Sequence, residues 1–271
     1  MTTSASGRAA GARMPLREHL REFRNRLTYV AIGIAAGAVV GWFVYPRVFA
    51  ALQKPLLEAA AAQGKIANIN FAGLATALDM QVKMSLVIGV IITSPWWLYQ
   101  VWAFIAPGLR SREKRYSIGF LGAAVPLFLG GVALSLWVYP RAVGILIGFT
   151  PNGASNLLNA QDFMSFAMRL VLAFGLAFVF PVVMVALTAA GIVSSKTWLG
   201  AWRWAVFLIF LFSAIMTPTP DAVTMVIMAL PMVVLFFAAV AVSRLFERSK
   251  RRRKVADAAA EEPADAASGP Q

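Results

Sequence analysis

The sequence predicts an all-α integral membrane protein whose six kinked transmembrane helices form a curved wall, and three observations carry that prediction. Hydrophobic residues make up 59% of the 271-residue chain and charged residues 14%, more apolar surface than a water-soluble globule of this length buries. Six apolar runs reach, or nearly reach, the roughly 20 helical residues that a hydrocarbon layer takes. Proline interrupts the middle of four spans, at Pro95, Pro126, Pro181 and Pro231, where it frees a carbonyl and bends a helix. The runs do not alternate, so the backbone satisfies its polar groups as helices rather than as a closed barrel.

The first element is the basic amphipathic segment Met14 to Leu27, MPLREHLREFRNRL. On a helical wheel Leu16, Leu20, Phe23 and Leu27 form a narrow stripe, with Glu18 and Glu22 on the opposite side, so the segment lies on a membrane surface. Pro15 suits the first helical turn, and the acidic residues sit near the positive helix end. In its plainest role the segment is an orientation signal for the first span. The spans run from Leu27 to Tyr45, Met84 to Ala106, Ser117 to Tyr139, Leu170 to Val193, Trp198 to Met216 and Ala222 to Val242. Val48-Phe49-Ala50 weakly resembles a cleavage site, but the apolar run before it is too long for a cleaved signal.

Between the spans, the stretch from Pro46 to Gln81 is expected to form short interfacial helices, and Pro151-Asn152-Gly153 marks a turn in a second outer loop. Gly33, Gly37 and Gly41 on the first span, and Gly144 with Gly148 later, form small-residue stripes suited to close helix packing within the chain or against a partner. Arg203 divides the fifth run. Only Trp204 to Met216 is left uninterrupted, about 20 Å against a layer of about 30 Å, so the Thr217-Pro218-Thr219-Pro220-Asp221 turn is expected below the outer surface. Residues 14–248 make up the membrane domain, between tails at 1–13 and 249–271 that are expected to be disordered.

Lys and Arg give the orientation. Nineteen of the 25 fall before Leu27, between Pro107 and Tyr116, at Lys196 and Arg203, and after Val242, which puts both termini in the cytoplasm. The other six are Arg47, Lys54, Lys65, Lys83, Arg141 and Arg169. The net charge of +13 therefore reflects orientation and attraction to anionic lipids, and nucleic acid is not an expected partner.

Chemistry-bearing residues are scarce. The chain has no cysteine and one histidine, His19, and it carries neither a P-loop nor a His-Glu-x-x-His pair, so no enzyme activity, cofactor or metal is expected. The central and cytoplasm-proximal parts of the spans hold no carboxylate, which argues against an ion-coupled transporter. Glu113 lies among Arg112, Lys114 and Arg115, either as a solvated salt bridge or as a docking point for a cationic peptide, since a carboxylate accepts a bidentate guanidinium. Glu22 supplies a second carboxylate if the amphipathic segment folds beside that loop.

These residues resemble a family. PLREHLREFRNRL, SPWWLYQVWAFIAPGL leading to Glu113, AFGLAF-x-FP in the fourth span, and TPTPD followed by Pro231-Met232 are similar to the TatC subunit of the twin-arginine protein translocase, over Met14 to about Arg248. The resemblance implies a concave, glove-like wall of six helices. It also implies a receptor for twin-arginine signal peptides that exports folded precursors across the bacterial cytoplasmic membrane on the proton-motive force. TatA-like and TatB-like single-span subunits and further copies of the chain are the implied partners. Carried over by motif, Glu22, Arg24, Arg26, Phe104, Pro107, Leu109 and Glu113 belong to the signal-binding surface, while Pro55 and Asp221 match an outer-loop proline and the acid of the last outer turn. Many members carry a glutamate in the fourth span where this chain has Val179, so polar partner contact is expected at Gln81, Ser165 or Thr217 instead. A small-solute permease and a purely structural scaffold are the competing readings.

Overall fold

The computed structural model describes residues 16–105, 114–151, 155–189, 191–216 and 222–266. Helix α1 spans Leu16–Ala62, followed by strand β1 (Ile66–Asn70), α2 (Thr76–Ile92), α3 (Ser94–Ile105), α4 (Lys114–Gly148), β2 (Ser155–Asn159), α5 (Ala160–Ala189), α6 (Ser195–Gly200), α7 (Trp202–Met216) and α8 (Ala222–Ala266). Within α1, α4, α5 and α8 the apolar stretches are long enough to cross a membrane alone, and α2 with α3 reaches that length as a bent pair. The 15 residues of α7 make a shorter apolar helix of about 22 Å, in line with the short fifth run.

Helix α1 is a single 47-residue rod, not a span followed by separate interfacial helices. Pro46 and Pro55 both lie inside it. Each proline removes one backbone donor, while the Ala, Leu, Gln, Lys and Glu that dominate residues 50–62 favour helix and carry it across. The rod stops at Gly64, whose φ of 65° lets Gly64 N–H reach Ala61 O and Lys65 N–H reach Ala60 O. The two strands were not visible in the sequence. They pair in parallel, from Ile66 opposite Ser155 to Asn70 opposite Asn159. Five residues each, they are too short for a period-2 signal to stand out from a loop. Lys65 Nζ donates to Ile147 O (2.9 Å) and Gly148 O (3.2 Å), so the end of α1 closes the carbonyl end of α4.

The second span breaks at Thr93, where α2 and α3 meet at 66°. Pro95 is the second residue of α3, where its missing N–H is tolerated, and the Trp97 indole donates across the bend to Val90 O (2.9 Å). Pro126 and Pro181 lie inside continuous helices, as does Pro231 in α8. Helix α1 packs along the bent span through its glycines. A Cβ on Gly33 would stand 2.4 Å from Trp96, one on Gly37 2.9 Å from Gly89 O, and one on Gly41 2.4 Å from Ser85 O. This stripe therefore serves internal packing. Gly144 and Gly148 show no such close approach.

Helix α5 is the centre of the fold, with 16 of its 30 residues buried. Gly131 and Gly175 let α4 and α5 interlock, with the Phe174 carbonyl seated over one and the Phe128 ring over the other. Val179, where the resemblance leads one to look for a glutamate, is buried with Phe128, Val132, Val171 and Val182. At the end of the fold where α3 precedes α4, Glu247 of α8 accepts hydrogen bonds from Ser195 N–H (2.9 Å) and Ser195 Oγ (2.5 Å), tying α8 to α6. Helix α8 continues to Ala266, through residues that composition had assigned to a disordered tail, because Lys, Arg, Ala and Glu after Ser249 are good helix formers.

Candidate peptide-recognition site

The start of α1 lies antiparallel to α3, so side chains spaced three or four residues apart on one helix meet side chains spaced four apart on the other. Phe23 meets Phe104 with ring centroids 5.3 Å apart. Arg26 Nη1 donates to Gln100 Oε1 at 3.3 Å. One turn further on, Trp96 Nε1 donates to Tyr29 O at 3.0 Å. Beyond that contact the glycine stripe takes over and packs α1 against α2, so the site adjoins a close helix–helix contact.

Glu22 is the acidic centre of this junction. Arg26, one turn away, directs both Nε (3.0 Å) and Nη2 (2.7 Å) at Glu22 Oε1. Both side chains are about three-quarters buried, with 25% of Arg26 and 24% of Glu22 exposed, so water screens the pair only in part. A recess of about 430 Å³ opens over them, lined by Glu18, Arg21, Glu22, Asn25, Arg26 and Tyr29. It sets two carboxylates, two guanidinium groups and an aromatic ring around one opening. A neighbouring hollow of about 680 Å³, lined by Arg17, Glu18, Leu20, Arg21 and Arg24, is mainly basic and would receive anionic groups.

The structure thus brings Glu22, Arg26 and Phe104 together and leaves Arg24 exposed beside them, its carbonyl bonded by Thr28 Oγ1 (2.9 Å). Pro107, Leu109 and Glu113 lie outside the described residues, as do Asp221 and Thr217. Pro55 is half-buried on α1, roughly 50 Å along the rod from Glu22, and belongs to the opposite end of the fold. Gln81 and Ser165 are half-buried on α2 and α5, and the Gln81 carbonyl accepts from Ser85 Oγ (2.6 Å). Sequence reasoning missed Gln100 and the part of Glu18 in the recess. Gln100 could have been found as a lone carboxamide in an apolar run, one turn before Phe104. Among the described residues no three His, Cys, Asp or Glu side chains gather as a metal site.

The family described as Sec-independent protein translocase protein (TatC) matches residues 18–231. The chain belongs to the TatC family. A TatC protein of Xylanimonas cellulosilytica is 55% identical over 260 residues, covering 95% of this chain and 94% of that one. One from Aquifex aeolicus is 34% identical, covering 88% of this chain and 98% of that one. A crystal structure of the twin-arginine translocase receptor TatC superposes with a TM-score of 0.70 at 32% identity, covering 84% of this chain and 99% of that one. The TatC match spans both helices that build the Glu22 junction and extends through Pro231.

Proposed function

We propose that the chain is the signal-peptide receptor and core subunit of a twin-arginine translocase, exporting folded proteins across the cytoplasmic membrane on the proton-motive force. The observation that carries this reading is the Glu22 carboxylate, held beside an aromatic pair and already shaped around one guanidinium. A site that accepts Arg26 in this way has the geometry to accept an arginine from another chain. Glu113 is the second acid of the dock. The excess of Lys and Arg at the α3–α4 end supports an orientation with both termini in the cytoplasm, facing precursors before export. TatA-like and TatB-like single-span subunits, together with further copies of the chain, are the partners that family membership supports.

Binding of a fluorescent twin-arginine signal peptide to the purified full-length chain in lipid nanodiscs tests the reading. Glu22→Gln should weaken that binding by about tenfold or more, the scale of a lost charge-assisted hydrogen bond. Unchanged affinity in both Glu22→Gln and Glu113→Gln would overturn it.

A further inference from the structure

A guanidinium that meets a carboxylate frequently bonds both oxygens, one to each arm of its fork. Arg26 does not. Its Nε and Nη2 converge on Oε1 of Glu22, and Oε2 has no hydrogen-bond partner among the described residues. The remaining nitrogen, Nη1, is bonded to Gln100 Oε1 at 3.3 Å, across 74 residues of sequence. Gln100 is only 6% exposed in the otherwise apolar face of α3, so its carboxamide is fixed and Arg26 must come to it.

We propose that Gln100 is a positioning residue that holds Arg26 on one oxygen of Glu22 and so keeps the other oxygen open for an arginine of the incoming signal. This assignment rests on the reading of Glu22 as the receptor carboxylate. Arg26 is then the resident half of a shared carboxylate rather than a contact for the peptide. Its charge also sets specificity. Glu22 is already neutralised by Arg26, so a lysine ammonium, which acts through point charge, gains little there. A planar guanidinium still gains directional hydrogen bonds to Oε2. Gln100 and Arg26 thus convert a general cation site into one that prefers arginine.

The test measures dissociation constants of Arg-Arg and Lys-Lys signal peptides for the full-length chain in nanodiscs. Gln100→Leu frees Arg26 to take both oxygens, and Arg-Arg affinity falls by about tenfold, the scale of one hydrogen bond to a charged group. Gln100→Glu keeps an acceptor for Nη1 and retains Arg-Arg affinity. Arg26→Gln raises Lys-Lys affinity towards that of Arg-Arg, and adding Gln100→Leu to it causes no further loss. Equal losses from Gln100→Leu with and without Arg26 would show a packing role and overturn the proposal. So would unchanged Arg-Arg affinity in Gln100→Leu, or a loss of Arg-Arg affinity in Gln100→Glu. If Glu22→Gln abolishes binding while Gln100→Leu has no effect, only this inference falls. If Glu22→Gln has no effect, the receptor reading of Glu22 falls with it.

Discussion

Val179 shows how one side chain changes what a membrane fold can hold. It is 8% exposed and shares an apolar cluster with Phe128, Val132, Val171 and Val182, whose side chains offer a carboxyl group no hydrogen bond. Val179→Glu would enter as a neutral acid with its hydrogen bonds unmet. It should destabilise the protein by roughly 1–3 kcal/mol, read as a lower Tm than that of Val179→Leu. Residue-level legibility was uneven. Glu22 could be read because an acid in a basic amphipathic stretch stands out against its neighbours. Gln100 stands out only as a lone carboxamide in an apolar run; its partner Arg26 is remote in sequence and reaches it only when α1 lies along α3.

At the scale of elements, the glycines of α1 make a graded prediction. The space beside Gly41 is filled by the Ser85 backbone, which cannot move aside, whereas Gly33 faces the Trp96 side chain, which can rotate. Gly41→Ala should therefore cost more stability than Gly33→Ala, about 1–3 kcal/mol by overpacking, while Gly144→Ala and Gly148→Ala remain near neutral in thermal unfolding. The α6–α8 tie offers a second. Hydrogen bonds from the Ser195 hydroxyl and backbone N–H lower the Glu247 pKa, with Lys196 and Arg244 adding smaller effects, and Glu247 lies beyond the apolar run that ends at Val242. Its stabilising contribution is present above the ordinary carboxylate range and lost as pH falls through the lowered value. Glu247→Gln should therefore lower Tm at neutral pH, and the gap to wild type should narrow on acidification below about pH 4. The helices themselves were legible because lipid demands unbroken apolar runs. The extent of α1 was not, since Pro46 reads as a stop signal and only packing of Leu52 and Leu56 beneath the α4 segment near Tyr139 shows why the helix continues.

For the whole molecule, the decisive dimension is the mismatch between α7 and its neighbours. A helix of about 22 Å falls short of a hydrocarbon layer of about 30 Å, so as a span it calls for a locally thinned bilayer or a water-filled notch. Reconstitution in lipids with longer acyl chains should therefore lower the Tm and the export activity, and shorter chains should restore both; equal behaviour across the series would count against it. The long apolar helices followed from hydropathy, whereas the tie from Lys65 to the end of α4 and the parallel strands come from contacts between segments more than 80 residues apart. The unbroken length of α1 has a mechanical consequence. Helix α1 runs on from Glu22 through Pro46 to Pro55, so a tilt at one end is carried towards the other. A few degrees of tilt imposed at Glu22 would swing the far tip by several ångströms, as a lever does about its fulcrum.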